Sequence, residues 1–184
     1  HMMMPFVIGR PSSTRALDHA LTQDKRIFLA AQKDASNDDP KPDDIYIMGC
    51  IANIVQSLRL PDSNVKVLVE GVDRARTIEW KEDKGFYRVV AKVLKESETS
   101  GDTENTMNRV VSLFEQYVKL SSNLQHDAMI AAVRVEEPSK LSDTIAAHLV
   151  IGVEEKQNLL EIISPLERLV RISTILESEI EKLQ

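Results

Sequence analysis

Few residues of this chain are of the types that catalyse reactions, and their spacing matches no known catalytic arrangement. The chain has 184 residues, with four histidines and a single cysteine. His148 lies about one helical turn after Asp143 on a predicted helix, and such pairs serve general acid–base catalysis. No serine or cysteine is placed by the sequence to complete a triad, so we interpret His148 as a packed or capping residue. Cys50 lies in an apolar run without an activating cation, which indicates a core side chain.

The glycines and acidic residues match no phosphate or metal motif. The six glycines are too widely spaced for GxGxxG or the P-loop, both of which wrap backbone around phosphate. The segment 34–44 holds five aspartates, but Asp39 stands where a calcium loop needs glycine and Ile45 where it needs glutamate. Pro40 and Pro42 favour a solvated surface loop instead. We therefore expect no catalytic residue, no metal and no cofactor.

Charge and hydropathy narrow the class of protein. The formal net charge is -6 and the pI is about 5.3, so the chain as a whole cannot neutralise a phosphate backbone. No apolar run is long enough to cross a membrane, and the first residues lack the basic region and cleavage site of a secretory signal. With a single cysteine, the sequence fits a reducing compartment. We expect a cytoplasmic protein that binds neither nucleic acid nor membrane.

The chemical character of the chain changes near Ser97. Residues 1–97 carry 15 basic and 14 acidic residues, whereas residues 98–184 carry 8 and 15. Six of the eight aromatic residues also fall in the first part. We therefore divide the chain into a β-rich subdomain, 1–97, and an α-helical subdomain, 98–184, that ends in a long helix.

In the first part, β-branched and aromatic residues cluster between turn signals and predict a mostly antiparallel barrel. The predicted strands are Met3 to Ile8, Arg26 to Lys33, Ile45 to Leu58, Val65 to Val72, Arg74 to Lys81 and Phe86 to Leu94. A short helix from Ser13 to Leu21, with Ser as its cap, is expected to cover one barrel end.

In the second part, apolar residues recur every three or four positions and predict helices. One helix is predicted from Thr103 to Ser121. Another follows Pro138, with Gly152 as its C-terminal stop. Ser164 and Pro165 predict the start of the last helix, because serine caps and proline needs no N–H partner at the first position.

Several blocks of residues resemble the N-terminal region of ATP-dependent Lon proteases. The most specific is the segment Arg59 to Arg76, RLPDSNVKVLVEGVDRAR, which looks like the signature hairpin of that region. Phe6 to Arg10, Leu141 to Leu149 and Glu155 to Glu161 resemble other blocks of it, in the same order along the chain. The resemblance covers essentially the whole sequence.

The resemblance implies an α+β fold: a PUA-like β pseudo-barrel with a short helix, followed by an α-helical bundle. It also implies a non-catalytic region that binds unfolded or degron-bearing proteins, passes them to an ATPase and Ser-Lys protease, and aids assembly of the hexamer. Family members carry a further apolar strand before the block that Met2 to Arg10 resembles. Without that strand an open sheet edge would remain, which predicts weak self-association. His1-Met2 fits either native sequence or a cloning remnant.

A surface that captures unfolded protein needs accessible apolar groups with a polar rim. Alternation along the first strand places Met2, Met4 and Phe6 on one face and Met3, Pro5 and Val7 on the other, so both sets cannot share the core. Methionine adapts to varied partners. A second apolar pair lies at a hairpin tip, and two arginines are placed to rim such a surface. The candidate residues are Met2, Met4, Phe6, Arg10, Arg15, Leu60 and Pro61. The alternative is that the methionines and Leu60 are core or turn-covering residues and the arginines are only solvated.

Two rival functions remain open at this point. The PUA-like fold suggests an RNA-binding module, although fold alone is weak support for function. Such a module would need a basic, aromatic-studded face and would bind with steep salt dependence. A self-contained enzyme would turn over ATP or a protein substrate as an isolated chain.

Overall fold

The computed structural model describes residues 3–96, 103–121, 132 and 134–184. The chain forms two compact units, His1–Lys95 and Glu96–Gln184. Within the described ranges, no helix has both the length and the apolar character needed to cross a bilayer. The first unit is built on a sheet and the second on helices, so the α+β class is confirmed.

The described part of the first unit forms a sheet of five antiparallel strands. They are β1 (Met3–Ile8), β2 (Arg26–Leu29), β3 (Met48–Arg59), β4 (Val65–Asp83) and β5 (Phe86–Val93). Strand β4 is the centre, because β3 pairs with one of its edges while β1 and β5 follow one another along the other edge. A helix, α1 (Pro11–Thr22), packs against β2 and β5.

The prediction of separate strands at Val65 to Val72 and Arg74 to Lys81 is wrong, since β4 runs through both. Ala52 pairs with Gly71 and Ile51 with Asp73, which leaves Val72 as an extra residue in the ladder. The irregularity is therefore a β-bulge, which bends a strand without ending it. The predicted strand Arg26 to Lys33 is also too long, because regular pairing stops at Leu29 and only the bridge from Gln32 to Ile45 follows.

The core of the first unit lies between α1 and the sheet. Val65, Val67 and Val69 alternate along β4 and are all buried, and they form one cluster with Leu17 and Ala20 of α1. Helix α1 begins earlier than the predicted Ser13: Arg10 is its N-cap and Pro11 its first residue. Proline is favoured there because the first N–H of a helix has no partner within the helix.

The second unit contains four described helices of more than one turn. They are α2 (Thr103–Leu120), α3 (Pro138–His148), α4 (Val153–Glu161) and α5 (Pro165–Leu183). The Ser164 side chain accepts a bond from the Glu167 N–H, so the predicted cap of the last helix is confirmed. The predicted role of Gly152 is wrong: α3 ends at His148, and Gly152, with φ of -68°, is the N-cap of α4.

A continuous apolar core joins the helices of the second unit. Helix α2 contributes Val110 and Phe114, which are completely buried, and it packs along α5. Helix α3 places Leu141 and Ile145 against the same core, and both are also fully buried. Each such side chain stabilises the unit by about 1.5–3 kcal/mol relative to exposure to water.

Candidate functional site

The first unit contains an open groove of about 820 Å³. Its walls come from all five strands, α1 and the loop that follows β2. Five of the six aromatic side chains of this unit line it: Phe6, Phe28, Trp80, Phe86 and Tyr87. Aromatic side chains offer large contact areas at little cost in conformational entropy, so they suit recognition of apolar groups.

The aromatic residues of the β4–β5 hairpin are held in defined arrangements. Trp80 and Tyr87 meet edge to face, with ring centroids 5.6 Å apart and planes at 86°. Phe86 contacts His19 of α1 at 5.2 Å between ring centroids. Trp80 pairs with Val89 across the ladder, and both line the groove. The hairpin therefore supplies a preformed apolar wall rather than isolated aromatic residues.

Two cations of the groove, Arg10 and Lys41, already have anionic partners. Arg10 donates to Gln32 and to the Ala35 carbonyl oxygen at 3.2 Å, and it lies 3.7 Å from the Asp38 carboxylate. Lys41 bonds to Asp39 at 3.0 Å, and this hydrogen bond and the charge of Asp39 raise the pKa of Lys41 above its usual value. Paired cations are poor anchors for a polyanion, because binding must first separate each pair.

The acidic loop uses its carboxylates on its own backbone and side chains. Asp34 accepts bonds from the Ser36 hydroxyl at 2.6 Å and the Ser36 N–H at 3.0 Å, which lower the pKa of that carboxyl. Asp44 accepts from the Lys41 N–H at 2.8 Å. Within the described residues, no group of three or more His, Cys, Asp or Glu side chains is arranged to hold a metal ion.

The sequence-predicted residues of β1 are placed as follows. Met2 lies outside the described residues. Met4 is 48% exposed, and Phe6 is half-buried, where it packs on the core and also lines the groove. Arg10, just beyond the strand, lines the groove as well. The structure thus brings Phe6 and Arg10 together at one surface.

The other predicted residues lie at turns. The Leu60 N–H donates to the Asn64 carbonyl at 2.8 Å, which closes the β3–β4 turn, and Leu60 itself is half-buried. Pro61 is exposed at the tip of that turn. Arg15 projects from α1 and donates at 3.5 Å to the carbonyl of Gly85, in the β4–β5 turn. None of these three residues lines the groove.

A second apolar surface was missed by the sequence reasoning. It lies across β1, β4 and β3, where Val7 and Leu58 both pair with Lys66 and therefore share its face of the sheet. Val7 is 54% exposed and Leu58 62% exposed, and Met3 of the same β1 face is also exposed. We call Met3, Val7 and Leu58 the outer patch. The alternation of Val65, Val67 and Val69 with Lys66 and Glu70 along β4 was the available signal, since it indicates which face of the sheet meets the core.

The other reactive side chains have structural partners. A ring nitrogen of His148, Nδ1, lies 2.8 Å from the Thr144 carbonyl oxygen, and its ring lies against Phe114. Asp143 is in an ion pair with Arg168 at 3.5 Å. Cys50 is half-buried, with Sγ 3.4 Å from the Ile51 carbonyl. These contacts support the interpretation of His148 as a packed residue, whereas Cys50 is only half-buried and lies outside the core cluster predicted to hold it.

Comparison with known proteins gives a consistent result. Residues 1–178 match the family model described as the ATP-dependent protease La (LON) substrate-binding domain. The chain is 54% identical over its whole length to a Lon protease of Solibacter usitatus and 42% identical to one of Azospirillum brasilense. It spans 23% of the length of each of these proteins.

Solved structures show the same fold. The N-terminal domain of Mycobacterium avium complex Lon protease superimposes with a TM-score of 0.74 at 20% identity, covering 98% of this chain and 90% of that one. The Lon N-terminal domain protein from Xanthomonas campestris gives a TM-score of 0.67 at 10% identity, covering 94% and 89%. The chain thus corresponds to one domain of the longer proteases. It belongs to the LON substrate-binding domain family.

Proposed function

We propose that the first unit binds apolar segments of unfolded or degron-bearing proteins, and that the aromatic groove is the principal contact surface. The observation that carries this proposal is the concentration of five aromatic side chains in one open concave surface. Unfolded proteins share exposed apolar side chains rather than one sequence, so a broad aromatic surface can accept many of them.

The outer patch forms a second contact surface in this proposal, and Met4, on the opposite face of β1, adds exposed apolar surface there. Met3, Val7 and Leu58 are each more than half exposed on one face of the sheet, although a folded sheet ordinarily favours polar residues there. Methionine adapts its shape to varied partners because its side chain is unbranched. Leu60 and Pro61 contribute at the adjoining turn, while Arg10 and Arg15 provide polar contacts.

The remaining roles follow from the family. We propose that the full-length protein is an ATP-dependent serine protease of the cytoplasm, in which this domain delivers substrates to the ATPase and protease modules and aids assembly of the hexamer. The domain boundary is proposed near Ser97, as expected from the change in composition. The exposed outer patch and the edge strand β1 favour weak self-association, which a monomer at high concentration in analytical ultracentrifugation would contradict.

RNA binding is the less favoured function. The groove has the aromatic residues that RNA recognition needs, but Arg10 and Lys41 on its rim are already paired with aspartates. The net charge of -6 also opposes a nucleic acid partner. Filter binding that shows no salt-sensitive retention of RNA is the expected result.

Groove binding can be observed directly because Trp80 is the single tryptophan of the chain. A permanently unfolded protein without tryptophan is titrated against the domain while the Trp80 emission is recorded. We expect a saturable blue shift, since an apolar segment in the groove removes water from the indole. The variant Phe28→Ala should weaken binding about five- to thirtyfold, the loss expected from one well-buried aromatic contact of about 1–2 kcal/mol.

A matched control removes exposed apolar surface elsewhere. Val153 in the second unit is 54% exposed, so Val153→Ser removes exposed apolar surface outside the groove. We expect it to bind as the unchanged domain does. Equal losses for Phe28→Ala and Val153→Ser, or a Trp80 emission that does not respond to binding, would contradict the groove as the contact surface.

A further inference from the structure

Arg168 occupies an unusual position for a charged side chain. It is completely buried, and it lies in the first turn of α5, where the helix dipole disfavours a positive charge. Burial of an unpaired guanidinium is strongly unfavourable, so the side chain must be compensated by surrounding acceptors. Its partners therefore indicate what holds this part of the unit together.

The guanidinium joins the ends of two other helices. It donates to the Ile162 carbonyl from Nε at 3.1 Å and from Nη2 at 2.7 Å, just after the last residue of α4. It also donates to the Ser142 hydroxyl of α3 at 2.9 Å, next to its ion pair with Asp143. One side chain thus satisfies polar groups of α3 and α4 from its position in α5.

The same guanidinium holds the first residue of the second unit. The Glu96 carboxylate lies 3.4 Å from Nη2 of Arg168 and accepts a bond from the Ser139 hydroxyl at 2.7 Å. Charge-assisted hydrogen bonds of this kind are stronger than neutral ones. Glu96 is therefore fixed to the N-terminal ends of both α3 and α5.

The end of the first unit is anchored separately. The Leu94 N–H donates to the Arg74 carbonyl at 2.9 Å, within the first unit. Between this anchor and the Glu96 anchor there is a single residue, Lys95, which is exposed. Both ends of the connection are consequently held, each by its own unit.

We propose that Glu96, Ser139 and Arg168 form a latch that anchors the junction and leaves Lys95 as its one hinge residue. Opening the latch releases Glu96 from α3 and α5. The proposal concerns the connection alone and does not depend on what the groove binds. The fraction of time for which the latch is closed sets how freely the junction moves. Cleavage by a protease needs several consecutive residues released from their contacts, so an open latch favours it.

Trypsin cleavage after Lys95 tests this latch. Residues 96–102 contain no lysine or arginine, so the Lys95 product is readily identified by mass spectrometry. The main variant is Ser139→Ala, which removes one bond to Glu96 without changing the cleaved sequence. We expect cleavage after Lys95 to be about threefold faster for Ser139→Ala, which removes one neutral donor to Glu96. We expect it to be about tenfold faster for Glu96→Ala, which removes the charged contact with Arg168 as well.

Two controls separate opening of the latch from other effects. The rate for Glu96→Ala is divided by the rate for a peptide of residues 90–100 with the same substitution, which removes the effect of residue 96 on trypsin itself. Glu137→Ala removes an equal charge from an exposed pair with Lys140 and should leave the rate unchanged. Cleavage after Arg109, within α2, reports global unfolding and should not increase.

The outcomes decide the proposal. Faster cleavage confined to Lys95 in both latch variants supports it. Rates equal to those of the unchanged protein and of Glu137→Ala overturn it. If Glu96→Ala accelerates cleavage after Arg109 as well, Ser139→Ala decides, and an unchanged Lys95 rate in that variant overturns the latch.

Discussion

The two units use their aromatic residues in different ways. In the helical unit, Phe114 is completely buried and Tyr117 is 3% exposed, and the Tyr117 hydroxyl accepts a bond from the Val150 N–H. In the sheet unit, five aromatic side chains line an open groove. The aromatic residues of the helical unit are thus core residues, whereas those of the sheet unit line the groove, and only Phe86 among the five is buried.

The cores differ accordingly. Among the described residues, fourteen buried side chains form the apolar cluster of the helical unit, against eight in the sheet unit, although the units have similar lengths. The sheet unit leaves apolar side chains accessible at the groove and the outer patch. This difference is consistent with the proposal that the helical unit is the structural support and that binding is concentrated in the sheet unit.

The greatest loss of stability is expected when one aromatic residue from each unit is replaced by alanine and the two losses are compared. Phe114→Ala should lower the free energy of unfolding of the helical unit by about 4 kcal/mol, since it leaves a cavity in a closed core. Phe28→Ala should lower that of the sheet unit by about 1 kcal/mol, because its side chain lines an open groove. Urea denaturation is followed by circular dichroism for the helices and by Trp80 fluorescence for the sheet.

The two signals also test the comparison itself. If Phe114→Ala shifts the Trp80 transition as far as the helical transition, the units unfold together and the contrast in core stability fails. A loss of equal size from Phe28→Ala would show instead that the groove wall is part of a closed core.

The next effect concerns the polar contacts within the helical core. Arg168→Ala should lower the free energy of unfolding of that unit by about 3 kcal/mol, because it leaves the Ile162 carbonyl and the Ser142 hydroxyl without their buried donor. The control Arg171→Ala removes an exposed arginine one turn away and should cost less than about 1 kcal/mol. Equal losses in the two variants, measured by urea denaturation, would remove any special role for the buried guanidinium.

The smallest effect concerns the acidic loop of the sheet unit. The hydroxyl and N–H of Ser36 stabilise the Asp34 carboxylate and lower its pKa in the folded protein. The ionised Asp34 carboxylate therefore stabilises the folded protein above the pKa that Asp34 has in the unfolded chain. This stabilisation is lost as the pH falls through the pKa that Asp34 has in the folded protein. Ser36→Ala should raise the Asp34 pKa toward 3.8, as followed by NMR titration, because the larger of the two hydrogen-bond contributions is lost. An unchanged titration would show that the backbone bond alone lowers the pKa.

Local patterns were sufficient for most of the secondary structure. Strand β1 and the last helix were predicted at their observed starts, since β-alternation, a serine cap and a first-turn proline act over a few residues. The errors came where local signals compete: two strands were predicted with a gap at Asp73, but pairing with β3 carried one strand through as a bulge. Gly152 indicated a helix stop, but α3 had already ended at His148.

The candidate site was less accessible to sequence reasoning. Phe6 and Arg10 were identified, and both line the groove, yet the other groove aromatics were assigned only to strands. Phe28 and Trp80 lie far apart in the chain, and nothing local indicates that they share a surface. Arg168 was not identified at all, because its partners lie on other helices and on the segment before α2.

Periodicity, capping and the ordered blocks of residues along the chain were enough to establish the class of the fold, the change from sheet to helices and the family. Tertiary structure alone decided which aromatic residues face a groove, which face of β1 is exposed, and how a buried arginine is compensated. The physical reason is that burial and pairing depend on strand register and helix packing, which bring together residues far apart in the chain.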